Sequence, residues 1–186
     1  GTLAVPRFRS GPDGGTVYFW SAEGGVTTTT LEFDLGGDSD NTTGGVPNLL
    51  EHIIPSPDGR TLYLPFSHAN TLRGEFINGK PLTFESMLRG VLATLKQNEQ
   101  GHWFEDGPRK QLDERGRSLT VVPNYYGDRL YVLHPGAEQI SILDGITLQI
   151  RGSVLDAGTS PMALAWSEEK QTLFIYSWLD RTIIAM

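Results

Sequence analysis

Apolar and polar residues alternate along this chain in short runs, and turn-forming residues bound each run. In PSPDGRTLYLPF, residues 55–66, a Pro-Asp-Gly turn leads into Leu62 and Leu64 with Tyr63 between them. Alternation with a period of two after a tight turn is typical of one strand of an antiparallel hairpin. The stretch therefore predicts a β-hairpin.

The same order of turn, aromatic-bearing strand, loop and second strand occurs four times. The strand pairs are GPDGGTVYFW with TTTLEFD, PSPDGRTLYLPF with VLATL, PNYYGDRLYVLH with QISILD, and WSEEKQTLFIYS with RTIIAM. Their aromatic anchors Tyr18, Tyr63, Tyr131 and Phe174 are 45, 68 and 43 residues apart. Two of these spacings match the roughly 40–45 residues of a four-stranded propeller blade.

The repeat predicts an all-β fold: one domain over 1–186, built from about four antiparallel four-stranded β-propeller blades. The blade repeats lie near 11–34, 48–95, 119–144 and 161–186. The longer middle spacing predicts an inserted segment, placed at 67–90, although 96–118 could hold the excess as well. FESMLRGVLATL, residues 84–95, also has the spacing of an amphipathic helix, while the blade alignment places Val91–Leu95 on a strand.

Composition and charge narrow the functional classes. The net charge of −7 disfavours nucleic acid or an anionic membrane as a partner. The absence of cysteine excludes disulfides, thiol catalysis, Cys-ligated metals and haem attached through CxxCH. No apolar run approaches the length of a membrane span.

Two stretches carry a resemblance to a known family. SPDGRTLYL and GDRLYVLHPGAEQISILD resemble the YVTN-type repeats of seven-bladed β-propellers, a pattern shared with surface-layer-type and quinoprotein-amine-dehydrogenase-like propellers. The resemblance implies the propeller fold and, for localisation, a periplasmic or extracellular protein. It implies no particular activity, because propellers support many functions.

A second resemblance covers Leu64 to Leu95. The segment is similar to an insertion in propeller modules joined to di-haem cytochrome c peroxidase-like domains. The matching positions are Asn70, Arg73-Gly74, Asn78-Gly79, Leu82-Thr83-Phe84 and Arg89. The family usually has Gln-Asp where this chain has His68-Ala69. The resemblance implies a c-type cytochrome or peroxidase domain as protein partner, with no redox cofactor on this chain.

The insertion supplies the candidate binding residues: Asn70, Arg73 and Arg89, with His68. Arginine side chains suit bidentate contacts to anions, carboxylates or a partner surface. The alternative is structural, with Arg73 and Arg89 pairing with Glu75 or Glu85 to hold the long loop. Asn78-Gly79 predicts a two-residue type I′ turn between two short strands.

Two further stretches allow two interpretations each. DLGGDSDNTTGG, residues 34–45, gathers Asp38 and Asp40, whose oxygens would suit Ca²⁺, although the order of an EF-hand is absent and a solvated loop is the alternative. KQNEQGHWFEDGPRKQLDERGR, residues 96–117, alternates charges of both signs and predicts a solvent-facing loop or ribbon. Within it, Trp103-Phe104 predicts either a staple to the body or an exposed contact.

The sequence favours a non-catalytic binding or docking module of an exported propeller. The alternatives are a propeller enzyme, either a metal-dependent hydrolase or lactonase or an oxidoreductase with a channel-bound metal, and a structural surface-layer module. Four blades leave sheet edges uncovered, so we expect either a piece of a longer propeller or a homo-oligomer that completes a ring.

Overall fold

The fold is known from a computed structural model of the protein. It describes residues 1–10, 14–32, 46–69, 76–77, 80–81, 88–113 and 117–186.

The described residues form four antiparallel sheets, which follow one another along the chain, and a short two-stranded ribbon. The strands of the first sheet and the first part of the second are β1 Thr2–Pro6, β2 Gly15–Ser21, β3 Gly25–Leu31, β4 Val46–Asn48, β5 Ile54–Pro55 and β6 Thr61–Ala69. The ribbon, and then the rest of the second sheet, are β7 Phe76–Ile77, β8 Lys80–Pro81, β9 Leu88–Gln97, β10 Trp103–Glu105 and β11 Lys110–Asp113.

The third and fourth sheets complete the described fold. Their elements are β12 Thr120–Pro123, β13 Arg129–His134, a 3₁₀ turn at Pro135–Ala137, β14 Gln139–Asp144, β15 Ile150–Leu155, β16 Pro161–Ser167, β17 Thr172–Ser177 and β18 Thr182–Ala185. The third sheet has the order β12-β13-β14-β15, as expected for a four-stranded blade. The first and fourth sheets have three strands each within the described residues.

Each predicted strand pair is present, one in each of the four sheets. β2 pairs with β3, β6 with β9, β13 with β14, and β17 with β18, all antiparallel. The strand interpretation of Val91–Leu95 is confirmed, and the helical alternative is wrong from Leu88 onward, because β9 pairs with β6 over nine residues. Its Gly90 and β-branched residues suit a buried strand better than a helix.

Three apolar clusters join neighbouring sheets face to face. The first lies between the first and second sheets and includes Val17, Leu64 and Phe66. The second joins Tyr63 and Leu92 of the second sheet to the third sheet, and the last joins the third sheet to the fourth. Each central sheet is therefore buried on both faces, as in a propeller. The partial-propeller architecture that the repeat predicts is confirmed.

The predicted anchor of the first sheet, Tyr18, is one residue before the position that corresponds to Tyr63 and Tyr131. Tyr63 and Tyr131 are 4% and 7% exposed and face the next sheet along the chain. In the first sheet that position belongs to Phe19, which packs against the second sheet, while Tyr18 lies on the opposite face and is 40% exposed. Period-two alternation could not separate them, because Tyr18 and Trp20 make the outer face as apolar as the inner one.

Three turns are each organised by one aspartate. Asp58 accepts hydrogen bonds from the Ser56 hydroxyl and the Arg60 amide, and these lower the pKa of its carboxyl. Arg151, then the amide and hydroxyl of Thr147, lower the pKa of Asp144 in the β14–β15 turn. The Ser177 hydroxyl and the Thr159 amide do the same for Asp180. These carboxylates stay ionised and fix the turns that separate the strands.

The outer faces of the first and fourth sheets carry exposed apolar side chains. On the first sheet Trp20 is directly opposite Leu3 and Val26, and these three are 51%, 58% and 65% exposed. On the fourth sheet Tyr176 is opposite Ile183, which is 70% exposed. The corresponding faces of the second and third sheets are covered by a neighbouring sheet.

Candidate functional site

The insertion leaves the second sheet through the longest strand pair described in the fold. β6 and β9 run side by side from Thr61 opposite Lys96 to Ala69 opposite Leu88. His68 and Arg89 are directly opposite each other at the last step but one, and they are 1% and 5% exposed. The segment between them therefore starts and ends on two buried polar side chains. β7 and β8 pair within it, with Ile77 opposite Lys80. The predicted type I′ turn at Asn78-Gly79 lies outside the described residues.

A half-buried arginine holds the end of the β6–β9 pair at His68 and Arg89, the insertion root, in place. Arg109 places Nε 2.6 Å from Oε1 of Glu105 and Nη2 2.9 Å from Oε2, so the carboxylate is bound bidentately. The same guanidinium donates to the carbonyl oxygen of Glu32 at 2.7 Å and lies 5.8 Å from the centre of the Phe66 ring. Arg109 thus ties the outer strand of the second sheet to its centre and to the end of the first sheet.

Arg109 also forms a hydrogen bond with His68. Nη1 of Arg109 lies 3.1 Å from Nε2 of His68. A guanidinium has only donors, so Nε2 must accept and cannot carry a proton. Arg109 therefore donates in this contact, and His68 accepts. Its ring also lies 5.5 Å from that of Phe66, within the apolar cluster between the first two sheets.

The structure brings together two of the four predicted binding residues. His68 and Arg89 are adjacent, but they lie inside the fold rather than on its surface. Asn70 and Arg73 lie outside the described residues, as do Glu75 and Glu85, the suggested partners of the arginines. The Ca²⁺ candidates Asp38 and Asp40 also lie outside them.

The charged stretch at 96–117 contains the residues that the sequence analysis missed. Of the two predicted forms, loop or ribbon, it takes the second: it supplies β10 and β11, which both pair with β9. Trp103 stacks on Phe19 with ring centres 5.5 Å apart, so the staple is confirmed, while Phe104 is 43% exposed. The Trp-Phe pair was the signal that this stretch returns to the body, and it places Glu105 and Arg109 beside the core.

A second cluster of polar side chains is buried where the second and third sheets meet. Nε2 of His134 lies 2.9 Å from the Ser141 hydroxyl, and Nδ1 lies 3.3 Å from that of Ser118. A Cβ on Gly90 would lie 2.7 Å from the Ser118 oxygen. Gly90 therefore allows the third sheet to approach the insertion root closely.

A cleft of about 1090 Å³ lies between the second and third sheets. Its walls include Tyr63 and Lys110 from the second sheet and Tyr125, Tyr126 and Ile146 from turns of the third. The pKa of the Tyr63 hydroxyl is raised by burial and, secondarily, by the negative charge of Asp58. Tyr63 is therefore a neutral hydrogen-bond donor at neutral pH.

The described ranges hold no group of three or more His, Cys, Asp or Glu side chains placed to bind a metal ion. Nor do these ranges hold a helix both long and apolar enough for a membrane crossing.

The comparisons with known proteins show the fold. No protein-family model and no curated protein matches the chain. Among solved structures, Kuenenia stuttgartiensis hydrazine synthase matches with a TM-score of 0.71 at 13% identity, over 100% of this chain and 55% of the other. The Cps50 (Swd1) β-propeller domain of Myceliophteria thermophila matches all of this chain and 67% of its own, at 17% identity and a TM-score of 0.43.

A putative 6-phosphogluconolactonase from Bacteroides fragilis matches over 100% of this chain and 66% of its own, at 14% identity and a TM-score of 0.39. This likeness and that to Cps50 are too loose to support an argument. The chain spans about half the length of the hydrazine synthase chain it matches. At 13% identity that match speaks for the architecture alone. The chain is an all-β protein of four antiparallel sheets with the architecture of part of a β-propeller.

Proposed function

We propose that this chain is a non-catalytic docking module of an exported β-propeller protein, and that the inserted segment between His68 and Arg89 recognises a protein partner. One observation carries the proposal: the segment extends from the end of the β6–β9 pair, and both of its ends are fixed by buried polar side chains. A loop positioned by a rigid scaffold is a common form of recognition site.

The buried contacts divide the four candidate residues into two roles. His68 and Arg89 are positioning residues, because they are nearly inaccessible and hold the two strands that enter and leave the segment. Asn70 and Arg73 follow the root along the chain and are the proposed contact residues. By resemblance, the partner is a c-type cytochrome or a di-haem peroxidase-like domain. A fixed root lowers the entropic cost of ordering the segment on binding.

The docking role predicts that substitutions in the inserted segment weaken partner binding without lowering the stability of the fold. The double variant Asn70→Ala, Arg73→Ala should weaken binding of a purified di-haem cytochrome c peroxidase about tenfold or more, because charge-assisted contacts are lost. Surface plasmon resonance measures the binding, and thermal unfolding should be unchanged. Arg60→Ala, in the exposed turn at the other end of β6, is the control and should bind like the unmodified protein. Equal binding by the double variant would contradict the docking role.

The rival function is a propeller enzyme whose channel-bound metal is held by Asp or Glu and His side chains from several blades, and Asp38 and Asp40 are a separate Ca²⁺ candidate. Mass-spectrometric metal analysis of the purified protein distinguishes the two: a stoichiometric ion that remains in Asp38→Asn, Asp40→Asn would favour the enzyme. A structural surface-layer module would instead form lattices or filaments visible by electron microscopy.

We infer that the outer faces of the first and fourth sheets meet each other in a second copy of this chain. At the interior junctions, the face carrying an aromatic anchor packs on the opposite face of the next sheet. The fourth sheet leaves an anchor face open, with Phe174 and Tyr176, and the first leaves its opposite face open. One chain therefore carries both halves of such a junction.

Association through these faces should depend on Trp20, which is 51% exposed at the centre of its face. Trp20→Thr keeps a good strand former and should shift the mass measured by analytical ultracentrifugation towards the 20.5 kDa monomer. Leu155→Thr is the control, since Leu155 is 71% exposed but lies on β15 of the third sheet. A monomer at all concentrations before any substitution would rule out this association.

A further inference from the structure

Hydrogen bonds fix the turns that form the two walls of the cleft between the second and third sheets. The Ser56 hydroxyl donates to Asp58 and accepts from the Thr61 amide, so the turn on one wall is fixed. On the opposite wall, Asn124 donates to the carboxylate of Asp128, and Gly145 donates its amide to the Asp128 carbonyl. Side chains that line the cleft are therefore presented by rigid turns and strands.

The hydroxyl of Tyr63 is available to a ligand in this cleft. Tyr63 as a whole is 4% exposed and lies in the cluster that joins the two sheets. No described residue forms a hydrogen bond with its hydroxyl. The hydroxyl oxygen itself is not fully buried, so solvent reaches it. A buried tyrosine usually has a hydrogen-bond partner for its hydroxyl. Tyr63 therefore offers a donor with an empty partner position on the cleft side.

Lys110 supplies a positive charge on the same wall. It is opposite Leu92 in the β9–β11 pair, while Tyr63 is opposite Thr94, so both side chains project from the face towards the third sheet. Strand spacing puts their Cα atoms about 12 Å apart. Lys96 is bound to Asp106 at 2.7 Å, and Arg109 is bound to Glu105. Within the described ranges, Lys110 has no ion-pair partner.

The opposite wall is apolar. Tyr125 and Tyr126 meet edge to face with ring centres 5.2 Å apart, and they are 65% and 78% exposed. Ile146, on the neighbouring turn, is 86% exposed. Aromatic and aliphatic groups beside a few polar ones are typical of sites for small molecules.

We propose that this cleft binds a small amphipathic carboxylate, with the carboxylate at Lys110 and Tyr63 and the apolar part against Tyr125, Tyr126 and Ile146. Lys110 matches the charge of the ligand, and the Tyr63 hydroxyl donates to a carboxylate oxygen. The site lies between two sheets, and Tyr63 is near the end of β6 that is away from the insertion. The proposal therefore does not depend on the docking role.

The test uses 3-phenylpropanoate and its neutral counterpart 3-phenylpropanamide as probes, titrated into the full chain and followed by two-dimensional NMR. The carboxylate should bind with a dissociation constant in roughly the millimolar range, as expected for a fragment of this size. The amide should bind about tenfold more weakly, because the charge that Lys110 meets is gone. Shifted resonances should map to the cleft.

Variants assign the two polar groups. Lys110→Gln should weaken carboxylate binding about tenfold and leave amide binding nearly unchanged, and Tyr63→Phe should weaken carboxylate binding about threefold. Lys170→Gln, an exposed lysine of the fourth sheet, is the matched control. Spectra of each variant without probe establish that the fold is retained. Equal affinity for acid and amide, unchanged binding by Lys110→Gln, or no saturable binding by the unmodified protein would each overturn the proposal.

Discussion

Gly145→Ala is expected to lower the free energy of unfolding by about 3 kcal/mol or more, because the new methyl group has no room. A Cβ at this position would lie 1.8 Å from the carbonyl oxygen of Gly127 and 2.8 Å from its carbon. Both are backbone atoms of the neighbouring turn, so no side-chain rotation relieves the clash. The amide of Gly145 also donates to Asp128 at 2.8 Å, and the two turns would have to separate. Urea unfolding at constant m-value measures the loss.

Gly152→Ala is the matched control. Gly152 lies in β15 of the same sheet, and a Cβ there would meet no atom within 4 Å. Neither glycine has a positive φ, so the two substitutions differ in space and not in backbone strain. We expect Gly152→Ala to be neutral or to stabilise by up to about 1 kcal/mol, since alanine restricts the unfolded chain. Equal losses at both positions would contradict the close approach of the two turns.

Arg109→Met is expected to cost about 2–4 kcal/mol, because it removes the cation from a pair that is largely shielded from water. The side chains of Arg109 and Glu105 are 11% and 19% exposed. Without the guanidinium, the Glu105 carboxylate, the Glu32 carbonyl and Nε2 of His68 each lose a donor. Methionine retains much of the apolar contact with Phe66, so the loss reports mainly on the polar contacts. Chemical denaturation measures it.

Arg151, which pairs with Asp144 of the β14–β15 turn, provides the comparison. Arg151 approaches Asp144 to 2.7 Å, much as Arg109 approaches Glu105, but its side chain is 59% exposed. Arg151→Met should therefore change stability little, because water solvates and screens exposed ion pairs. If Arg109→Met proved equally harmless, the insertion root would not be held by this contact, and the positioning role of His68 would lose its basis.

Three of the four strand pairs were predictable from the sequence because their strands follow each other closely along the chain. The Pro57-Asp58-Gly59 turn joins β6 to β5, and alternation after the turn indicates the register of that hairpin. The pairing of β6 with β9 spans the insertion, and the repeat rather than a local turn predicted it. Which face of a strand is buried was less predictable: Tyr18 and Phe19 are both aromatic neighbours, and only packing against the second sheet distinguishes them.

The insertion root and the cleft were less accessible to sequence reasoning, because their residues are distant along the chain. His68 and Arg109 are 41 positions apart and meet only through the pairing of β9 with both its neighbours. The charge alternation around Arg109 indicated a solvated segment, since a local pattern does not show that one arginine is covered. Likewise Lys110 and Tyr126 belong to different sheets, and no spacing relates them.

The three apolar clusters each bridge only one pair of consecutive sheets. Each sheet is therefore stabilised mainly by its immediate neighbours. Either terminal sheet can detach while the second and third sheets stay packed together. The cleft lies between the two inner sheets, so ligand binding there would survive the detachment of either outer sheet. The insertion root contacts Glu32 at the end of the first sheet through Arg109, so partner recognition would survive detachment of the fourth sheet but not of the first.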